Sequence, residues 1–109
     1  MKRRLRELPF TLADLRALIE PALNNPCVFC KATITPKTFS VDHALSIARG
    51  GSKKIVNLQV ICAGCNTAKG IMNTAEFIML LSVLNTFQDA VRKNTLARLK
   101  AGSSFYKRS

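Results

Sequence analysis

The 109 residues predict a small α+β domain, mostly helical, and three patterns in the chain predict it. Apolar residues recur at helical spacing towards both ends, a short stretch between them alternates apolar with polar, and two Cys-x-x-Cys pairs bracket that stretch. The length suits one domain over 1–109, with a core at 27–70 and flanking helices at 12–20 and 74–99.

Taken in order, the first eight residues hold Lys2, Arg3, Arg4 and Arg6 and read as a basic arm. Thr11, with Asp14 three residues on, can accept a bond from a first-turn N–H that the helix leaves over. The helix it opens, Leu12 to about Glu20, sets Leu12, Leu15, Leu18 and Ile19 on one stripe. Pro21 and Asn24-Asn25-Pro26 end it and lead into the first cysteine pair. Ala32–Thr35 and Thr38–Val41 read as short strands about Pro36-Lys37, with Phe39 and Val41 alternating with Ser40 and Asp42. Residues 44–55 read as a loop around Gly50-Gly51-Ser52, and Asn57–Ile61 as the returning strand. A short helix follows from Ala63 to about Ile71. Asn73 with Glu76 is a second capping pair, opening a long helix from Thr74 to about Leu99. Between Phe77 and Leu84 that helix is apolar on nearly every side, which calls for burial of more than one face. Either the N-terminal helix covers the second face or another copy of the chain does, as a homodimer. Gly102–Ser109 reads as a polar basic tail.

Seventeen Lys and Arg against six Asp and Glu give a formal net charge of +11. Such a surface suits a polyanion, because Lys and Arg that neutralise phosphates supply most non-specific affinity for nucleic acid. The longest nearly continuous apolar run, Phe77–Leu84, falls well short of the roughly 18 residues of a membrane span. No charged segment followed by an apolar one opens the chain, so no export signal is read and a cytoplasmic protein is expected.

The cysteines are Cys27, Cys30, Cys62 and Cys65. Without an export signal, paired knuckles fit a tetrathiolate zinc site better than two disulfides. Zinc takes four soft ligands at tetrahedral corners, and each knuckle offers two thiolates from one turn. The stretch 31–61 between the pairs is longer than a common zinc ribbon holds, so a functional insertion is expected there.

That stretch contains His43, the only histidine. Cleaving a phosphodiester takes a base for water, a cation at the developing negative charge and a grip on the backbone. A neutral imidazole suits the first task near neutral pH. Beside it, the carboxylate of Asp42 suits Mg²⁺ or Mn²⁺ better than zinc. Alternation along a strand turns the two side chains to opposite faces, so they can flank one phosphate. The other acidic residues, Glu7, Asp14, Glu20, Glu76 and Asp89, are too scattered for a two-metal carboxylate site, so one catalytic cation is expected. Lys69 shares a helix face with Asn66 and is a candidate phosphate contact, as are Arg49, Lys53 and Lys54 on the Gly-rich loop.

Read in order, Cys27-x-x-Cys30, Asp42-His43, Gly50-Gly51, Asn57-Leu58 and Cys62-x-x-Cys65-Asn66-x-x-Lys69-Gly70 resemble the HNH endonuclease family, in particular its zinc-stapled members. The resemblance runs from Cys27 to Gly70. It implies a ββα-metal finger, in which two strands and a helix grip one divalent cation, and DNA as substrate. It implies Asn66 as a second ligand of that cation, so the motif reads H-N-N. It also implies that the Asn57 side chain bonds across the loop and steadies the strand carrying His43. Products with a 5′-phosphate and a 3′-hydroxyl follow from the same resemblance. One such site cuts one strand, so a monomer nicks. The alternative is a non-catalytic zinc-ribbon module that only binds nucleic acid, which leaves Asp42, His43 and Asn66 without a task. The small size leans towards a phage or prophage origin.

Overall fold

Thr11 takes extended backbone, and its hydroxyl accepts from the Asp14 N–H at 3.1 Å while the Thr11 N–H donates to the Asp14 carboxylate at 3.0 Å. These reciprocal bonds satisfy two donors at the start of α1, Leu12–Ile19. Pro21 then sits in a 3₁₀ turn over Glu20–Ala22, at a first-turn position where its missing N–H costs nothing. This computed structural model describes residues 9–102, so the basic arm over 1–8 and the tail beyond Gly102 lie outside the described residues.

Two strands, β1 (Phe39–His43) and β2 (Leu58–Cys62), pair antiparallel with Asp42 opposite Gln59 and His43 opposite Leu58. Their connection contains two 3₁₀ turns, Ile47–Arg49 and Ile55–Asn57. β2 runs straight into α2 (Ala63–Lys69), whose Cys65 N–H donates to the sulfur of Cys62 at the N-cap, and Gly70 ends it. Val60, Ile61 and Cys62 are buried in succession, so β2 is covered on both faces at this end. The strands and helix form a ββα unit.

α3 (Thr74–Leu84) opens with a second capping box, Asn73 and Glu76 exchanging two bonds of 2.8 Å. α4 (Asp89–Lys100) folds back against α2. Between these helices and β2 lies the core, with Ile34, Ile61, Ala68, Met72, Phe77, Leu84 and Leu99 buried around Cys27 and Cys65. Phe29 meets Phe77 edge to face, ring centres 4.9 Å apart, which ties the first cysteine knuckle to α3.

Two expected elements differ. Ala32–Thr35 is not a strand; one bridge joins Thr33 to Pro26. Its backbone is spent on the knuckle instead, with Cys27 N–H donating to the Ala32 carbonyl at 2.7 Å and Asn24 N–H to that of Ile34 at 2.7 Å. The long helix over 74–99 is two helices. After Leu84 the Thr86 hydroxyl donates back to the Val83 carbonyl at 2.6 Å, and Gln88 takes extended backbone as the cap of α4. Short polar side chains at this point compete for the backbone bonds that would continue α3. Only Phe77 and Leu84 of α3 are buried, while Ile78, Met79 and Val83 stay exposed, so neither α1 nor α4 covers the second apolar face.

Candidate active site

Each Cys-x-x-Cys pair rides on a tight turn. In the first, Lys31 adopts positive φ and its N–H donates to the Cys27 carbonyl at 2.9 Å, which turns Cys27 and Cys30 the same way. In the second, the Cys65 N–H donates to the Cys62 sulfur at 3.3 Å at the start of α2. The four sulfurs lie within 4.8 Å of one another, with Cys30 and Cys62 at 3.6 Å, and all four are free thiols. Tetrahedral zinc with bonds of about 2.3 Å spreads its sulfurs about 3.8 Å apart, so the donor set and its spacing fit that ion. A bond from the Cys65 thiol holds Cys27 down, to about 4, against the effect of burial. The same contact, then burial and the neighbouring sulfur charges, pushes Cys65 far up. Such a cluster takes further negative charge only with a cation at its centre.

Lys100 closes this cluster from α4. Its stem packs over Gly64, where a Cβ would fall 2.9 Å from Lys100 Cδ. Burial works against its charge, but a bond to Cys30 and the charges of Cys30, Cys65 and Cys62 raise its pKa.

The end of β1 carries the second cluster. Asp42 is only 5 % exposed, and its carboxylate accepts from Gln59 Nε2 at 2.8 Å. Lys69, fully buried, sets its Nζ 3.1 Å from Asp42 Oδ2 and donates to the His43 carbonyl at 2.9 Å. Asn66, one residue beyond Cys65, donates from its amide nitrogen to the Ser40 hydroxyl at 2.6 Å, which fixes the direction of its oxygen. Asp42, His43 and Asn66 line one polar cavity of about 240 Å³, together with Ser46. The hard oxygens of Asp42 and Asn66 suit Mg²⁺ or Mn²⁺. The Ser46 hydroxyl is buried without a hydrogen-bond partner among the described residues, although serine at the head of a helical turn ordinarily caps it. An orphaned polar atom of this kind fits a hydrated polar guest in the neighbouring cavity. Among the described residues no side chain bonds the His43 ring, which also borders a larger, apolar cavity of about 500 Å³ between α1 and the strands, with Phe10 and Lys53 on its walls.

Asn57 braces the loop that leaves His43. Its Oδ1 accepts from the Leu45 N–H at 3.0 Å, and its Nδ2 donates to the carbonyls of Leu45 at 2.9 Å and Ser52 at 2.7 Å. Gly51 is needed for a close approach, since a Cβ there would lie 1.8 Å from the Leu45 carbonyl oxygen. Arg49 ends its 3₁₀ turn by pairing with Glu76 and donating to the Ile71 carbonyl at 3.3 Å. That pairing, helped by the Asn73 N–H, holds the Glu76 carboxyl below its usual range.

Of the expected phosphate contacts, Lys69 has no exposed surface, while Arg49 pairs with Glu76 on α3 and is still exposed. Lys53 and Lys54 remain exposed. Gln59, Ser46 and Lys100 were not singled out from the sequence. Gln59 was within reach, since Asp42 directly follows the expected Thr38–Val41 strand and antiparallel pairing sets it opposite the start of the Asn57–Ile61 strand. Lys100 and Ser46 carry no local signal.

No curated protein matches the chain. Among protein families, residues 27–82, just over half of the chain, match the one described as HNH endonuclease. The match begins at the first knuckle, spans both strands, the His43 loop and α2, and ends inside α3. With the ββα unit clamped by a four-cysteine metal-type cluster, and the family match covering it, the chain belongs to the HNH endonuclease family.

Proposed function

We propose that the protein is a metal-dependent DNA endonuclease that hydrolyses one phosphodiester bond per site with a single divalent cation and a histidine base. The observation that carries this reading is the meeting of Asp42, His43 and Asn66 on one polar cavity. In it, a nitrogen of the His43 imidazole takes a proton from water, which then attacks phosphorus in line. Gln59 and Lys69 hold the Asp42 carboxylate, Ser40 holds the Asn66 amide, and the two oxygens are the residues that would bind Mg²⁺ or Mn²⁺. Bound there, a cation of this kind would supply positive charge to offset the negative charge on the leaving 3′ oxygen. Asn57 keeps the loop beyond His43 from moving the ring away from phosphorus, and Lys53 and Lys54 contact the DNA backbone.

In the same reading zinc on the four cysteines is structural, and its task is to fix β2 and the start of α2, hence Asn66. The thiol-rich centre suits a reducing compartment such as the cytoplasm. The exposed side of α3, with Ile78, Met79 and Val83, is the surface through which a second copy would pair to cut both strands. The test is incubation of supercoiled plasmid with the zinc-loaded chain in Mg²⁺, Mn²⁺ or EDTA. Nicked circles with ligatable 5′-phosphate ends, formed only with the divalent cation, are expected. Retarded but intact plasmid in every condition would instead support a zinc module that only binds DNA.

A further inference from the structure

The proposed chemistry gives Lys69 no task except to hold Asp42, yet its placement is unusual. Lysine is almost never fully buried without a charge partner, and here the partner is the one carboxylate on the polar cavity among the described residues. The Lys69 ammonium lies 3.1 and 3.4 Å from the two Asp42 oxygens and donates to the backbone of the histidine itself. It therefore neutralises the site from inside. A dication seated on the same carboxylate would face a fixed positive charge with no solvent between them, where like charges repel far more than in water. With Asp42 neutralised, the cavity has little to draw a dication in. A phosphate of DNA brings the missing negative charge.

We propose that Lys69 is a built-in counter-cation of Asp42 that keeps divalent-cation capture weak until a DNA phosphate enters the cavity, so that the catalytic cation and the substrate load together. This rests on the nuclease reading above and adds the order of assembly to it. It makes Lys69 a positioning residue, acting through Asp42 and the His43 carbonyl.

The test is a Mn²⁺ titration of the zinc-loaded full chain, with free Mn²⁺ followed by electron paramagnetic resonance. Without DNA, Lys69→Met should bind Mn²⁺ about tenfold or more tightly than the wild type, and Asp42→Asn should abolish that binding. In a His43→Ala chain, a DNA duplex should tighten Mn²⁺ binding about tenfold with Lys69 present and far less with Lys69→Met, after correction for Mn²⁺ held by the duplex alone. Equal affinity of the wild type and Lys69→Met without DNA overturns the proposal and leaves the nuclease reading standing. No Mn²⁺ bound by any variant, with no nicking by the wild type, overturns both. Should Lys69→Met lose its zinc or its helicity, the Lys69 ammonium resonance of the His43→Ala chain decides. It should stay in place with Mg²⁺ alone and shift with Mg²⁺ and duplex together; a shift with Mg²⁺ alone, or none in either case, overturns the proposal.

Discussion

Replacing Asn57 by alanine removes three hydrogen bonds from the loop that follows His43 and leaves the backbone bond from the Ala44 N–H to the Asn57 carbonyl, 2.8 Å, in place. A hydrogen bond contributes about 0.5–1.5 kcal/mol net, more when its loss strands a buried partner. The Ser52 carbonyl is near solvent and rehydrates, so its bond falls at the low end. The two Leu45 groups are partly buried and fall at the high end. The sum is about 2–4 kcal/mol, a large part of the roughly 5–15 kcal/mol that holds a domain this size. Asn57→Asp keeps the acceptor but turns an anion towards two carbonyl oxygens, so it should cost at least as much. The assay is urea unfolding of the zinc-loaded protein at fixed zinc concentration, because bound metal shifts apparent stability. Nicking should fall in parallel, since the ring of His43 loses its brace. A change below about 0.5 kcal/mol for Asn57→Ala would refute the reasoning.

Other outcomes follow from the same contacts. Gly51→Ala drives a Cβ into the Leu45 carbonyl and should cost about 3 kcal/mol in urea unfolding, whereas Gly50→Ala, with positive φ but open space, should cost only about 1 kcal/mol. Metal analysis should find about one zinc per chain. Its removal by a chelator should abolish helical circular dichroism, because structural zinc contributes on the order of 10 kcal/mol; a native spectrum after chelation would contradict that. Arg49 lowers the Glu76 carboxyl on folding, so the stability this gives is present above the unfolded carboxyl's range and lost as pH falls through the folded one. Glu76→Gln should accordingly flatten the acid limb of the stability curve, and an unchanged limb would refute the pairing.

What could be read from the residues was what local chemistry decides. Both capping boxes, the two strands to within two residues and the helix after the second knuckle are where cap chemistry and alternation put them. Spacing failed where a third body intervened. Lys69 does share a helix side with Asn66, but spacing does not say what that side faces, and here it faces β1, so the ammonium meets Asp42 instead of solvent. Arg49 pairs with Glu76, 27 positions away in the chain, a contact that no local spacing announces. Ala32–Thr35 has a strand's composition, yet its carbonyls and N–H groups close the first knuckle. The apolar pattern of Phe77, Leu84, Phe87 and Val91 runs through the break at Asn85–Gln88, but Phe87 and Val91 stay exposed, so hydrophobicity alone joined what the Thr86 hydroxyl and the extended Gln88 divide.

The central claim is that the imidazole of His43 takes the proton of the attacking water. Plasmid nicking by His43→Ala, measured beside its DNA affinity and zinc content, addresses it most directly. A rate lower by about 10²–10⁴-fold, with affinity and zinc unchanged, is the result the account predicts. A variant that nicks as fast as the wild type would contradict it.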